Sequence, residues 1–162
     1  MSTYRPVVLT INGRSETASL PAHRTLLEAL RELGHVEVKC GCEKGDCGAC
    51  AVLLDGVAVD SCLTLAWMAE GRQITTVSGL GSADALHPLQ KAFADSGAAQ
   101  CGYCTPGVII AAKSMIDRNP DPSDEDIRIA LSGNLCRCTG YVKIVEAVHD
   151  AAAVMRTLGD GK

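Results

Sequence analysis

Along the first half of the chain the apolar residues alternate, and along the second half they recur with a helical period. Val7-Val-Leu-Thr-Ile11 is a short apolar run closed by Asn12-Gly13, and Ser15 to Leu20 resumes beyond it. That is the pattern of two strands joined by a two-residue turn. Thr25-Leu-Leu-Glu28 has the form of a capping box, with Leu26, Leu27, Leu30 and Leu33 on one helical face and Gly34 as the stop. Further on, Ala51-Val-Leu-Leu54 and Val57-Ala-Val59 flank the turn Asp55-Gly56, and Ile74 to Val77 supplies a closing strand. Two hairpins with a helix between them predict a β-grasp-like α+β domain over residues 1–78, with the strand order left open.

The composition shifts at Ser78-Gly-Leu-Gly-Ser82, which reads as a linker. Leu86, Leu89, Gln90 and Phe93 then predict a first helix, with Pro88 tolerable only in its first turn. Thr105-Pro106 reads as a cap followed by proline at the first helical position, opening a helix through Val108, Ile109, Ala112, Met115 and Ile116. Asn119-Pro-Asp-Pro122 breaks it. Ser123 caps a third helix ending near Gly133, and Thr139 or Gly140 starts a fourth, with Ile144, Val145, Val148, Ala152 and Met155 facing inward. Residues 79–162 are thus expected to form a four-helix bundle.

Composition narrows this picture. Apolar residues make up 47% of the 162, yet aromatic ones only 3%, so the cores must be aliphatic and closely packed. Two domains of this size are marginal by burial alone and call for a further staple. The net charge of −4 and the pI near 5.5 argue against a nucleic-acid partner, and no apolar run approaches a membrane span.

Eight of the nine cysteines supply candidates for that staple. Cys42, Cys47 and Cys50 have the C-x4-C-x2-C spacing of plant-type 2Fe–2S ferredoxins, with Cys62 as a fourth ligand after the hairpin. Gly41, Gly45 and Gly48 lie between them, where a loop turning around an inorganic core needs φ > 0 and free N–H groups. Glu43 and Asp46 read as solvated loop charges, because soft iron prefers thiolate. The second set pairs Cys101-Gly-Tyr-Cys104 with Cys136-Arg-Cys138. Each pair is expected near a helix N-terminus, which lowers thiol pKa and favours an anionic cluster. Its spacing suits structural zinc as well as iron–sulfur. An odd cysteine count and an N-terminus without an apolar run argue against a secreted disulfide framework. Cys40 fits neither set and reads as a partly buried free thiol.

His23, His35, His87 and His149 are scattered, without ligand spacing, and are expected on the surface or at helix ends. There is no Ser/His/Asp set, phosphate loop or G-x-G-x-x-G pattern; Gly79-Leu-Gly81 belongs to the linker. The chain therefore carries no catalytic residues for organic chemistry of its own.

Three stretches match a known family: Gly41-Cys-Glu-Lys-Gly-Asp-Cys-Gly-Ala-Cys50, Gln100-Cys-Gly-Tyr-Cys-Thr-Pro-Gly107 and Gly133-Asn-Leu-Cys-Arg-Cys-Thr-Gly-Tyr141. Through them nearly the whole chain resembles the iron–sulfur subunit of the molybdenum hydroxylases, the xanthine dehydrogenase and aldehyde oxidase family. The resemblance implies a plant-type ferredoxin-like domain followed by a helical 2Fe–2S domain. It implies that Cys101, Cys104, Cys136 and Cys138 hold a proximal cluster, and Cys42, Cys47, Cys50 and Cys62 a distal one. Gln100 and Cys138, or its surroundings, are implied as contacts to a pterin. Arg137 would neutralise cluster charge, pair with a partner acid or simply be solvated. Cys40, and Ala51 in place of threonine, depart from the family pattern without touching a ligand.

By the same resemblance the chain is the electron-transfer part of a heteromeric oxidoreductase. Molybdopterin would sit on a large subunit and FAD on a medium one, in a dimer of heterotrimers located in the cytoplasm. A free-standing ferredoxin-type carrier with a metal-stapled helical module is the alternative.

Overall fold

The computed structural model describes residues 4–159, so residues 1–3 and 160–162 of the two expected domains lie outside the described residues. Strand β1 (Tyr4–Ile11) buries Val7, Leu9 and Ile11 on one face while Val8 between them is exposed. Strand β2 (Arg14–Pro21) returns antiparallel with Ile11 opposite Arg14, which leaves Asn12-Gly13 as the whole turn. Both turn residues have positive φ, 50° and 77°, matching the twist of the strands they join. Strands β3 (Ala51–Leu54) and β4 (Val57–Asp60) repeat the device across Asp55-Gly56.

The sheet order is β2-β1-β5-β3-β4, with β5 (Gln73–Thr75) parallel to β1 and antiparallel to β3. β5 is shorter than the expected Ile74 to Val77 for a specific reason. The fully buried Thr76 gives its N–H to Asn12 Oδ1 (2.9 Å) and its hydroxyl to Glu37 Oε1 (2.8 Å). With its polar groups taken up off the sheet, the chain leaves the ladder into a 3-10 turn at Val77–Gly79.

Helix α1 (Leu26–Glu32) carries the expected capping box between Thr25 and Glu28 and lays Leu26, Leu27 and Leu30 into the sheet core. This helix-on-sheet layer is the β-grasp arrangement the alternating pattern predicted.

The helical half contains α2 (Pro88–Asp95), α3 (Thr105–Ile116), α4 (Asp124–Ala130) and α5 (Val142–Gly159). Their inward faces share one core that includes Phe93, Val108, Ile127, Ile144 and Val148. Several boundaries differ from expectation. Leu86 is exposed, and α2 starts at Pro88 with His87 as its cap, accepting the Leu89 N–H at 3.2 Å. The cap of α3 is Cys104, one residue earlier than Thr105. Helix α4 stops at Ala130 instead of near Gly133, and α5 begins at Val142 instead of Thr139 or Gly140. Gly140 and Tyr141 have φ of 65° and 69°, left-handed conformations that no helix admits, so the chain turns there first.

The two cores are joined. Ile110 of α3, fully buried, packs with Ala51 and Leu53 of β3 in a small third cluster. Val77, just before the expected linker, and Leu80, within it, pack against the helical core. Among the described residues no helix is long and apolar enough to cross a membrane.

Candidate metal centres

The first cysteine loop follows α1 and runs without regular secondary structure up to β3. Gly45 (φ 79°) and Gly48 (φ 65°) take the expected left-handed turns, but Gly41 does not, and Glu43 (φ 58°) does instead. Gly41 is required for space: a Cβ there would lie 2.6 Å from Cys47 Sγ. The loop turns an N–H toward sulfur, Asp46 N donating to Cys42 Sγ at 3.3 Å. The β3–β4 hairpin carries Cys62 back to Cys50, and the buried Ser61 hydroxyl donates to the Cys50 carbonyl at 2.7 Å, fixing that return. Cys42 neighbours Cys47, and Cys50, whose thiol donates to Asp60 Oδ1 at 3.7 Å, neighbours Cys62.

The second set is assembled from two loops, one ahead of α3 and one between α4 and α5. Cys101 and Cys138 are exposed, with the Cys138 thiol donating to Cys101 Sγ at 3.6 Å. Cys104 and Cys136 sit deeper as neighbours, and the Cys136 thiol shares a hydrogen bond with the Thr139 hydroxyl at 3.1 Å. Eight sulfurs thus stand as four pairs, two pairs per set. Among the described residues all nine cysteines are free, and no three His, Cys, Asp or Glu side chains converge on a single metal ion. Paired thiols suit a core in which each of two irons takes two thiolates, and the all-sulfur donor set suits iron–sulfur chemistry.

The pairs are chemically unequal. Backbone N–H donation from Lys44 leads in lowering Cys42 to about 7. Burial pushes Cys136 up, but hydrogen bonds from the Thr139 hydroxyl and the Thr139 and Cys138 N–H groups outweigh it and bring it to about 7. Burial raises Cys50 and Cys104, each to about 12. Cys104 stands at the α3 N-terminus as expected, yet its thiol is raised, by burial first and then by the neighbouring Cys136. Cys136 takes its lowering hydrogen bonds from its own loop.

The exposed Gln100 immediately precedes Cys101, on the same edge as Cys138. Arg137 is exposed and, with Tyr103, Leu135 and cysteines of both sets, lines a cavity of about 270 Å³ between the two loops. Cys40 remains apart, its thiol donating to Glu43 Oε1 at 2.8 Å. His23 and His149 are exposed, and His87 is at a helix end as expected. His35 is instead half-buried between Glu16 (3.0 Å) and Glu37 (3.3 Å), tying β2 to the segment after α1. Sequence reasoning passed over Asn134 and Tyr141, whose polar groups organise the second loop. The signal was present in the Gly133 to Tyr141 stretch, where a polar residue precedes an exposed Leu135.

Comparison with known proteins agrees with this geometry. The profile of a family described as a 2Fe-2S iron-sulfur cluster binding domain matches residues 9–78, and that of a 2Fe-2S binding domain matches residues 76–149. The nicotinate dehydrogenase small FeS subunit of Eubacterium barkeri is 47% identical over 144 residues, covering 88% of this chain and 92% of that protein. The aldehyde oxidoreductase of Megalodesulfovibrio gigas is 50% identical over 152 residues, 91% of this chain but only 17% of that longer protein. In solved structures, a chain of quinoline 2-oxidoreductase from Pseudomonas putida 86 superposes with a TM-score of 0.91 at 43% identity, covering 96% of this chain and 98% of that one.

Proposed function

This chain belongs to the iron–sulfur subunits of the molybdenum hydroxylases, and from that premise we propose that its two cysteine sets are the ligands of two 2Fe–2S clusters. Cys42, Cys47, Cys50 and Cys62 hold one; Cys101, Cys104, Cys136 and Cys138 hold the other. The observation that carries the assignment is that the fold gathers eight free thiols into two sets of four, with the Cys138 thiol against Cys101. When bound, each cluster supplies a one-electron carrier between the molybdopterin site of the complex and an acceptor. The chain's own residues wrap and insulate: Gly41 leaves room for Cys47, Asp46 N–H faces the Cys42 sulfur, and the buried Ser61 fixes Cys50 against Cys62.

The exposed edge bearing Gln100, Cys101, Tyr103, Leu135 and Cys138 suits contact with a large molybdopterin-binding subunit, with Gln100 and Cys138 meeting the pterin. An amide next to a ligand offers both a donor and an acceptor to a pterin edge. The outer face of the first loop, with exposed Glu43, Lys44 and Asp46, is assigned to the acceptor side and a medium FAD-binding subunit. The ferredoxin-like domain is taken as residues 1–78 and the helical one as 79–162. A cytoplasmic dimer of heterotrimers completes the proposal.

Metal analysis of the purified complex tests the core of it. About four irons and four acid-labile sulfides per chain are expected, with two distinguishable EPR signals on reduction. Two irons and one zinc would overturn the second assignment.

A further inference from the structure

The β3–β4 hairpin that returns Cys62 also carries a carboxylate to the first site. Asp60 is the last residue of β4, opposite Ala51 of β3 and two residues before Cys62. Its carbonyl accepts the Leu63 N–H at 3.0 Å and the Thr64 hydroxyl at 3.1 Å. The next residue, Ser61, holds the Cys50 carbonyl. The backbone thus fixes Asp60 beside Cys50, and its Oδ1 lies 3.7 Å from the Cys50 sulfur. Its Oδ2 would stand 3.8 Å from a Cβ at Gly45, in the loop between Cys42 and Cys47.

This carboxylate is half-buried and has no counter-charge. Among the described residues the Cys50 thiol is its only hydrogen-bond donor, and no ion pair includes it. Arg118 lines the same cavity of about 260 Å³, but it is exposed and gives its Nε to the Ser114 carbonyl at 3.0 Å. Metal binding takes the proton from a ligand thiol. At Cys50 that removes the carboxylate's one hydrogen bond and leaves an anion against an anionic ligand. Like charges at this range, partly withdrawn from water, repel. The second set is built differently: beside the Cys136 sulfur stands the neutral Thr139 hydroxyl, at 3.1 Å, a donor to a thiolate. A carboxylate kept only to close the hairpin would take a cation or an N–H as partner, and Asp60 takes neither.

We propose that Asp60 sets the reduction potential of the first site, its fixed negative charge beside Cys50 disfavouring the reduced state. The proposal rests on the ligand assignment above. The step it acts on is the arrival of one electron: the helical-domain site is oxidised and the first site reduced, with no bond or proton exchanged. That electron adds a negative charge where Asp60 already supplies one, so the reduced first site is the stronger donor to the acceptor that follows. Asp60 is neither a ligand nor a redox group; it acts through the field at Cys50.

The test is an EPR-monitored redox titration of the assembled holoenzyme, with iron content measured alongside. Cys47→Ser identifies the first site as the signal it alters or removes. If it changed neither signal, the ligand assignment would fall and this inference with it. In Asp60→Asn, with both signals at full intensity, the midpoint of the first site is expected to rise and that of the second to stay. A rise of about tenfold in the one-electron equilibrium corresponds to about 59 mV. Asp60→Glu keeps the charge and should keep the wild-type midpoint. Asp55→Asn is the control: Asp55 is exposed at the far end of the same hairpin and paired with Arg72 Nε at 2.7 Å, so neither midpoint should move. A first-site midpoint unmoved or lowered in Asp60→Asn would overturn the proposal, as would an equal rise in Asp60→Glu or Asp55→Asn. Should Asp60→Asn lose the centre, Asp60→Ser decides: a raised midpoint supports the proposal, and a second loss overturns it in favour of a structural role.

Discussion

Gly41→Ala should empty the first metal site while leaving the fold and the second site intact. The added Cβ would stand 2.6 Å from Cys47 Sγ and 3.4 Å from Ala49 Cβ. Non-bonded contacts of this kind relax at about 3.5–4.0 Å, so the sulfur must yield by about 1 Å. A metal–ligand distance tolerates about 0.2 Å, several times less. In the metal-free chain the sulfur can swing aside, and overpacking of this size costs about 1–3 kcal/mol, short of unfolding a typical domain. Gly41 is not in the left-handed region, so backbone strain adds nothing and the effect is one of space. Gly133→Ala is the matched control, since a Cβ there meets nothing within 4 Å and φ is again not left-handed. Iron and sulfide analysis with EPR should show Gly41→Ala losing half the iron and one of two signals, and Gly133→Ala losing neither. Full iron and both signals in Gly41→Ala would refute the reading of this loop as a tight cradle.

Three further outcomes are expected. Ile110→Ala removes the one fully buried side chain of the cluster joining α3 to β3; it should cost about 2–5 kcal/mol and separate the unfolding of the two cores in calorimetry. Thr25→Ala deletes the cap of α1, whose hydroxyl accepts the Glu28 N–H at 3.2 Å; a loss of about 1 kcal/mol in denaturant unfolding is expected. Burial acts to raise the Glu37 carboxyl, but hydrogen bonds from Thr76, its own N–H and His35 hold it below its ordinary 4.5. Its stabilisation is thus complete above 4.5 and fades as pH falls through the lowered folded value, so the melting-temperature gap between wild type and Glu37→Gln should narrow on that acid limb.

Elements with a strong period were readable from the sequence, and irregular ones were readable only as chemistry. Both hairpins follow from Asn12-Gly13 and Asp55-Gly56 between alternating apolar runs, and the capping boxes at Thr25 and Ser123 fix the starts of α1 and α4. The errors fall where tertiary bonds override local preference. Thr76 is drawn off the sheet by Asn12 and Glu37, both remote in sequence, and the left-handed Tyr141 delays α5 because its hydroxyl is engaged by the loop before it. The cysteine spacing named the candidate ligands, yet it does not encode which sulfurs pair. That depends on the hairpin returning Cys62 to Cys50 and on the bundle setting Cys138 beside Cys101.

The cavity lined by both sets lies at the edge of the helical core, against which Cys104 and Cys136 pack, and this bears on how the protein assembles. The two cysteine loops have no regular secondary structure, so their backbone groups need partners other than a helix or sheet ladder. Part of that requirement is met across the junction, by Leu135 to Cys47, Asn134 to Gly48 and Tyr103 to Cys40. Docking of the halves therefore orders the same peptides that metal binding must order, and each process meets part of the entropic cost of the other. Gly48 shows the coupling at one residue: it lies next to Cys47, carries the carbonyl that Asn134 grips, and is the surface against which Gly107 closes. A change there acts on the first site, the second loop and the α3 contact together. The first cysteine loop, the second loop and the start of α3 thus share Gly48 as a common support.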